Sequence, residues 1–172
     1  MPTLPSVLFV CLGNICRSPA AEAGNICRSP AAEAVFNTHL AAEGLAGRFI
    51  VDSAGTIGMH AGNPADGRMR DAGDARGHAL TSVSRRVTRA DFERFDLVVA
   101  MDESNLEDLL DAGANPDRTR LLGTFLPDYD DDIDTPQEVP DPYYGGADGF
   151  ETVLDMLEAA APQVLSALQS HF

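Results

Sequence analysis

The chain contains no lysine. All 12 of its basic residues are arginine, set against 27 aspartates and glutamates, which leaves a formal charge of −15 and a pI near 4.4. That balance excludes a nucleic acid as partner, because its phosphates are repelled by such a surface. It does not exclude a single phosphorylated group, since a small pocket can be locally positive on an acidic protein. Much of the excess acid lies in residues 128–141, which read as a solvated loop. Cysteine is scarce as well. Cys11, Cys16 and Cys27 all fall near the N-terminus, and no later cysteine can staple the domain. An odd, clustered set reads as reduced, reactive thiols and predicts a cytoplasmic protein. Zinc needs about four ligands, and no histidine spacing completes a set, so no metal and no cofactor are expected. No apolar run approaches the roughly 20 residues of a membrane span. No basic segment followed by a long apolar one opens the chain. Neither a membrane partner nor a secretory leader is therefore expected.

What is present fits one domain, 1–172, around one core. Short apolar runs at 4–10, 49–52, 96–101 and 119–122 read as strands. Helical patterns alternate with them: an Ala/Glu-rich segment ending at Glu43, then 66–76, 104–112 and 148–170, the last with an expected kink at Pro162. Strands alternating with helices predict an α/β fold, a parallel sheet covered on both faces. In such sheets the site lies at the carboxyl ends of the strands, and Cys11 stands at one.

Between that strand and a helix start runs Cys11-Leu12-Gly13-Asn14-Ile15-Cys16-Arg17-Ser18, of the form C-x5-R-S. Each part has a physical use. Successive backbone N–H groups in a tight, Gly-containing loop make a nest for an anion, and a helix starting at Ser18-Pro19 adds its positive end. Arg17 can hold two phosphate oxygens through its planar fork. The same field favours a thiolate on Cys11 for attack on phosphorus, and Ser18 can donate to that thiolate as it leaves. The leaving group needs a proton. The best donor is Asp141, in Pro140-Asp-Pro142-Tyr143-Tyr144, where two prolines fix the backbone and two tyrosines can line an aromatic slot. Asp128, Asp130, Asp131, Asp132 and Asp134 are read as solvated.

With the segments Asp52-Ser-Ala-Gly-Thr56 and Phe95-Asp-Leu-Val-Val-Ala-Met-Asp-Glu-Ser-Asn105, the loop and Asp141 resemble the low-molecular-weight protein tyrosine phosphatases nearly end to end. The resemblance implies a flavodoxin-like, four-stranded parallel sheet and metal-free hydrolysis of phosphotyrosine proteins or small aryl phosphates through a phosphocysteine. Catalysis would rest on Cys11, Arg17 and Asp141, with Leu12, Gly13, Asn14, Ile15, Cys16 and Ser18 around the phosphate. Asn14, Ser53 and His78 would belong to the network holding the loop, and Cys16 would be the cysteine able to form a protective disulfide with the nucleophile. Ile15, where relatives acting on phosphoarginine carry threonine, favours phosphotyrosine. Met59 departs from the pattern, standing where many bacterial relatives have tryptophan. It can still flank a substrate ring, together with Tyr143 and Tyr144. The related arsenate-reductase chemistry needs further relay cysteines, and none follows Cys27.

One feature is abnormal: residues 13–23, GNICRSPAAEA, recur unchanged as residues 24–34. The second copy has Glu22 seven places before Ser29, where the first has Cys11 before Ser18. A loop built wholly from it would carry Arg28 but no nucleophile, giving an impaired phosphate-binding variant. In one arrangement copy one makes the loop and the excess follows it. In the other copy two makes the loop and helix start, keeping the helix from Pro30 to Glu43 but displacing Cys11. A continuous helix through both copies would push Val35, Phe36 and Leu40 about 16 Å along its axis, and Gly24 and Pro30 oppose it. A bulge, a broken helix or an exchange between two chains forming a dimer remain. The first arrangement is favoured, because the loop then follows directly from the strand.

Overall fold

The computed structural model describes residues 3–12, 28–58, 61–133, 135–142 and 147–170. Its core is the expected four-stranded parallel sheet, in the order β2-β1-β3-β4. The strands are β1 (Ser6–Cys11), β2 (Ile50–Gly55), β3 (Leu97–Ala100) and β4 (Thr119–Leu121). β1 pairs with both β2 and β3 and is buried at every position, which is why it reads as an unbroken apolar run without alternation. Its side chains still point to two faces. Phe9 and Cys11 join the cluster under α1 (Arg28–Ala42) and α5 (Ala147–Ser170), whereas Leu8 and Val10 join Phe95 and Leu109 on the other face.

The start of α1 is the first correction to the sequence reading. Arg28, Ser29 and Pro30 of the second copy open this helix, with proline in its first turn, where no N–H partner is needed. Among the described residues the helix start falls in copy two, where the sequence reading favours copy one. The reason lies in packing. Ala31, Ala32 and Ala34 are small enough to bring the helix close, and Val35, Phe36 and Leu40 are buried beneath it. The Phe36 ring meets Phe9 of β1 edge-on, with centroids 5.9 Å apart. Along α5, residues such as Leu154, Leu157, Val164 and Leu168 complete the same cluster. Pro162 lies inside α5 without ending it.

α2 (Gly67–Ala75) is capped by the Asp66 side chain, which accepts from the Arg68 N–H, and α4 (Glu103–Asp111) by Asp102. The six-residue α3 (Arg89–Arg94) is absent from the sequence reading, being too short for periodicity to reveal. Its signature is the Thr88–Asp91 capping box. β2 continues to Gly55, beyond the expected end at 52. Polar Asp52 and Ser53 hide the strand, but β1 supplies its ladder partners as far as Cys11.

Candidate active site

The chain enters β1, turns back to β2 on one side, and later lays β3 on the other. The carboxyl ends of β1 and β3 therefore flank a topological switch point, where open parallel sheets bind ligands. Cys11 ends β1, and Asp102 follows β3 as the cap of α4. Cys11 is 3 % exposed. Its Sγ lies 3.1 Å from Ser29 Oγ, which also donates to the carbonyl of Ala54 at 3.3 Å. Ser29 opens α1, so the thiol faces the positive end of a 15-residue helix.

Arg28 is buried beside them, 4 % exposed. Both Nη1 hydrogens are committed, one to Asp102 Oδ2 at 2.6 Å and one to the Val139 carbonyl at 2.9 Å. Burial works against this cation. Attraction from Cys11, Asp102 and Asp141 outweighs it and holds the guanidinium above its ordinary range. Asp141 itself is exposed, at the mouth of the site and within the electrostatic reach of Arg28.

The segment carrying Val139 and Asp141 is anchored over the strand ends. Val139 N–H donates to the Met101 carbonyl at 2.9 Å. Gly123 permits the approach, because a Cβ there would stand 2.0 Å from the Gln137 carbonyl oxygen. On the opposite side, Thr56 N–H donates to the Cys11 carbonyl at 3.0 Å, and Ile57 N–H and Thr56 Oγ1 both donate to the Leu12 carbonyl at 3.3 Å. Asn105, 1 % exposed, satisfies both neighbours when its amide donates to Asp102 Oδ1 and accepts from Leu12 N–H, each at 3.1 Å. It ties Leu12, next to Cys11, to the carboxylate that holds Arg28.

The predicted site residues fare unequally. Cys11 and Asp141 are brought to one place, and the arginine and serine beside them are Arg28 and Ser29. Arg17, Ser18, Gly13, Asn14, Ile15 and Cys16 lie outside the described residues, as do Met59, Tyr143 and Tyr144. The displacement of Cys11 expected with copy two does not occur, since Cys11 touches Ser29. Leu12, expected to bind phosphate through its backbone, gives its N–H to Asn105. Ser53 Oγ donates to Glu33 of α1 at 2.5 Å, fixing the helix against β2. Among the described residues, His78 meets neither Ser53 nor Glu33. Its Nδ1 meets Thr38 Oγ1 at 3.0 Å and its Nε2 meets Glu158 Oε1 at 2.8 Å, about 14 Å along α1 from Ser29. It follows the turn at Gly77 (φ 83°) and so sits against α5. The residue that does meet Glu33 beside Ser53 is Ser82. Asp102 and Asn105 fall in the 95–105 segment that carries the resemblance but have no role assigned there, and Ser82 carries no motif. The signal for the first two is their position just after the β3 strand.

Among the described residues, no cluster of His, Cys, Asp and Glu could hold a metal ion, and no helix is long and apolar enough to cross a membrane.

Comparison with known proteins places this arrangement in a family. The description "Low molecular weight phosphotyrosine protein phosphatase" matches residues 6–23 and 23–171, two stretches that meet inside the repeated segment. A low molecular weight protein-tyrosine-phosphatase of Streptomyces coelicolor is 42 % identical over 167 residues, 95 % of this chain and 93 % of the relative. The human low molecular weight phosphotyrosine protein phosphatase is 40 % identical over 151 residues, 86 % and 85 % of the two chains. A crystal structure of a protein tyrosine phosphatase from Entamoeba histolytica, with Hepes in its active site, superposes with a TM-score of 0.82 at 40 % identity, covering 97 % of this chain and 98 % of that one.

Proposed function

The chain belongs to the low molecular weight phosphotyrosine protein phosphatase family, and on that premise we propose that it hydrolyses phosphotyrosine and small aryl phosphates through a phosphocysteine on Cys11, with Arg28 in place of Arg17 holding the phosphoryl group. The observation that carries this reading is the contact of Cys11 Sγ with Ser29 Oγ at 3.1 Å, with Arg28 buried alongside.

The chemistry follows from that placement. The Cys11 thiolate attacks phosphorus, an S–P bond forms, and the bond to the aryl oxygen breaks. The carboxyl of Asp141 protonates the departing phenolate. With both Nη1 hydrogens of Arg28 committed, its Nε–Nη2 edge is the fork presented to two phosphoryl oxygens, and its orientation is preset by Asp102. In the second step Asp141, now ionised, takes a proton from water, whose oxygen attacks phosphorus. The S–P bond breaks, and the Ser29 hydroxyl donates to the thiolate that leaves. The substrate is a phosphomonoester in which an aryl oxygen is the leaving group.

A direct test compares the two arginines with p-nitrophenyl phosphate as substrate. Cys11→Ser should abolish turnover. Arg28→Ala should lower kcat by about 1,000-fold, on the scale of losing an electrostatic transition-state donor, while Arg17→Ala stays within about fivefold of the parent. The reverse ranking refutes the assignment of Arg28.

One observation favours a second reading, an impaired phosphate binder. Sixteen residues, Leu12 to Cys27, separate Cys11 from Arg28, where C-x5-R has five. Deleting residues 24–34 restores the five-residue spacing without altering any other part of the chain. A rise in kcat of more than about 100-fold on deletion supports impairment, and a change within threefold supports an active parent.

A further inference from the structure

Beyond the carboxyl end of β2 lies a groove of about 660 Å³ that the catalytic steps do not use, walled by Thr56, Ile57, Arg86, Arg89, Phe92 and Asp108 among others. We propose that it receives the acidic side chains that flank phosphotyrosine in a peptide substrate, an inference that rests on the phosphatase reading above.

Three observations carry it. The first is position. Gly55 pairs with Cys11 on one side and bridges to Arg86 on the other, so Arg86 sits two strand spacings, about 10 Å, from the nucleophile. About three residues of extended peptide cover that distance at ~3.3 Å each. Thr56 and Ile57, which hold the Cys11 and Leu12 carbonyls, form the rim between the two sites.

The second is the state of the arginines. Arg85, next in sequence, is consumed internally by Asp52 and Asp91. Among the described residues, the guanidinium groups of Arg86 and Arg89 make no hydrogen bond or ion pair, and both residues are exposed. Asp108 is the one carboxylate among the described residues of the lining, so the groove carries a net positive charge on a protein of −15. Arginine's planar fork suits a carboxylate.

The third is separation from the acidic loop. Residues 128–133, rich in aspartate, follow β4, at the far edge of the sheet from Arg86. The β2 and β4 edges stand about 14 Å apart, beyond the ~8 Å Debye length at physiological ionic strength. The arginine wall of the groove is therefore electrically separate from that loop. Phe92 and Ile57 add an apolar floor against which the stems of glutamate side chains can pack.

The test uses the whole protein, two phosphotyrosine peptides that differ only in having Glu or Ala around the phosphotyrosine, and p-nitrophenyl phosphate, which has no flank. At low salt the parent should favour the Glu peptide about tenfold in kcat/KM, mainly through KM. The double variant Arg86→Ala/Arg89→Ala should lose that preference while its kcat/KM on p-nitrophenyl phosphate stays within twofold. Arg48→Ala removes one charge at the opposite end of β2 and should keep the preference. Arg86→Glu/Arg89→Glu should prefer an Arg-flanked peptide, which guards against a merely unfolded alanine variant. A parent that turns over p-nitrophenyl phosphate but treats the Glu and Ala peptides within twofold overturns the groove proposal alone. So does loss of the preference on Arg48→Ala. A parent inert towards p-nitrophenyl phosphate overturns the phosphatase reading itself.

Discussion

Replacing Asp102 tests how the site is held together. Its Oδ2 accepts from Arg28 Nη1 at 2.6 Å, and its Oδ1 accepts from the Asn105 backbone N–H at 2.8 Å, capping α4. Asp102→Asn keeps the volume and a capping side chain but removes the charge. Removing one partner of a buried ion pair costs about 3–5 kcal/mol. The Arg28 side chain is 5 % exposed but that of Asp102 is 20 % exposed, so the lower end, about 3 kcal/mol, applies. Asp102→Ala also loses the cap, for about 1 kcal/mol more. In a domain of this size each kcal/mol moves Tm by roughly 2–4 °C. The asparagine variant should therefore melt roughly 6–12 °C below the parent and the alanine variant roughly 8–16 °C below. The same change frees Arg28 to turn away from the phosphoryl group, a misplacement worth about 100-fold in rate. Calorimetry gives the first quantity, and p-nitrophenyl phosphate turnover measured well below the lowest Tm gives the second. An Asp102→Asn variant that melts within 1 °C of the parent and keeps kcat within twofold would refute the placement of Arg28 against Asp102.

Gly123→Ala should push the 137–141 segment off the strand ends, since the new Cβ would meet the Gln137 carbonyl at 2.0 Å. A loss of about 1–3 kcal/mol is expected from such overpacking, with a fall in kcat as Asp141 moves, and an unchanged melt and rate would contradict the close approach. Glu33 is pushed upward by burial, which outweighs its hydrogen bonds from Ser53 and Ser82. A carboxyl whose folded pKa is raised binds its proton more tightly in the folded state. Its contribution to stability is therefore greatest below the unfolded value near 4.3 and declines as pH rises through the folded one. Glu33→Gln should accordingly gain stability relative to the parent as pH rises from 4 to 7, measured by denaturant unfolding. A parent whose advantage over the variant grows with pH would contradict the shift.

Much of the fold was legible in the residue order because its signals are local. β1 is apolar from Val7 to Cys11 since it is buried on both faces, and β3 is apolar along its whole length. α2 and α4 showed as helical patterns at 66–76 and 104–112. The short α3 and the polar half of β2 were not legible, because α3 is too short to show a helical period and β2 owes its structure to the β1 ladder. His78 is a similar case. A histidine beside Gly-Ala-Leu carries no mark of whether it faces the loop or α5, and the turn at Gly77 decides that it bridges Thr38 and Glu158.

The sequence alone determined the candidates for nucleophile and acid: Cys11, the one cysteine at the end of an apolar strand, and the proline-flanked Asp141. It could not determine the arginine. Two identical strings offer Arg17 and Arg28 with the same neighbours, and no local preference can separate them. Which copy heads α1 is decided by packing downstream, and the proposal of Arg28 rests on it. Val35, Phe36 and Leu40 are buried against β1 and α5, and a helix advances 1.5 Å per residue, so the position of Phe36 over Phe9 fixes where the helix must begin. It begins at Arg28, which brings Ser29 to Cys11 and Arg28 to Asp102. A continuous helix begun in copy one would carry those apolar side chains about 16 Å from their partners, a loss of core burial that no interaction in the loop could offset.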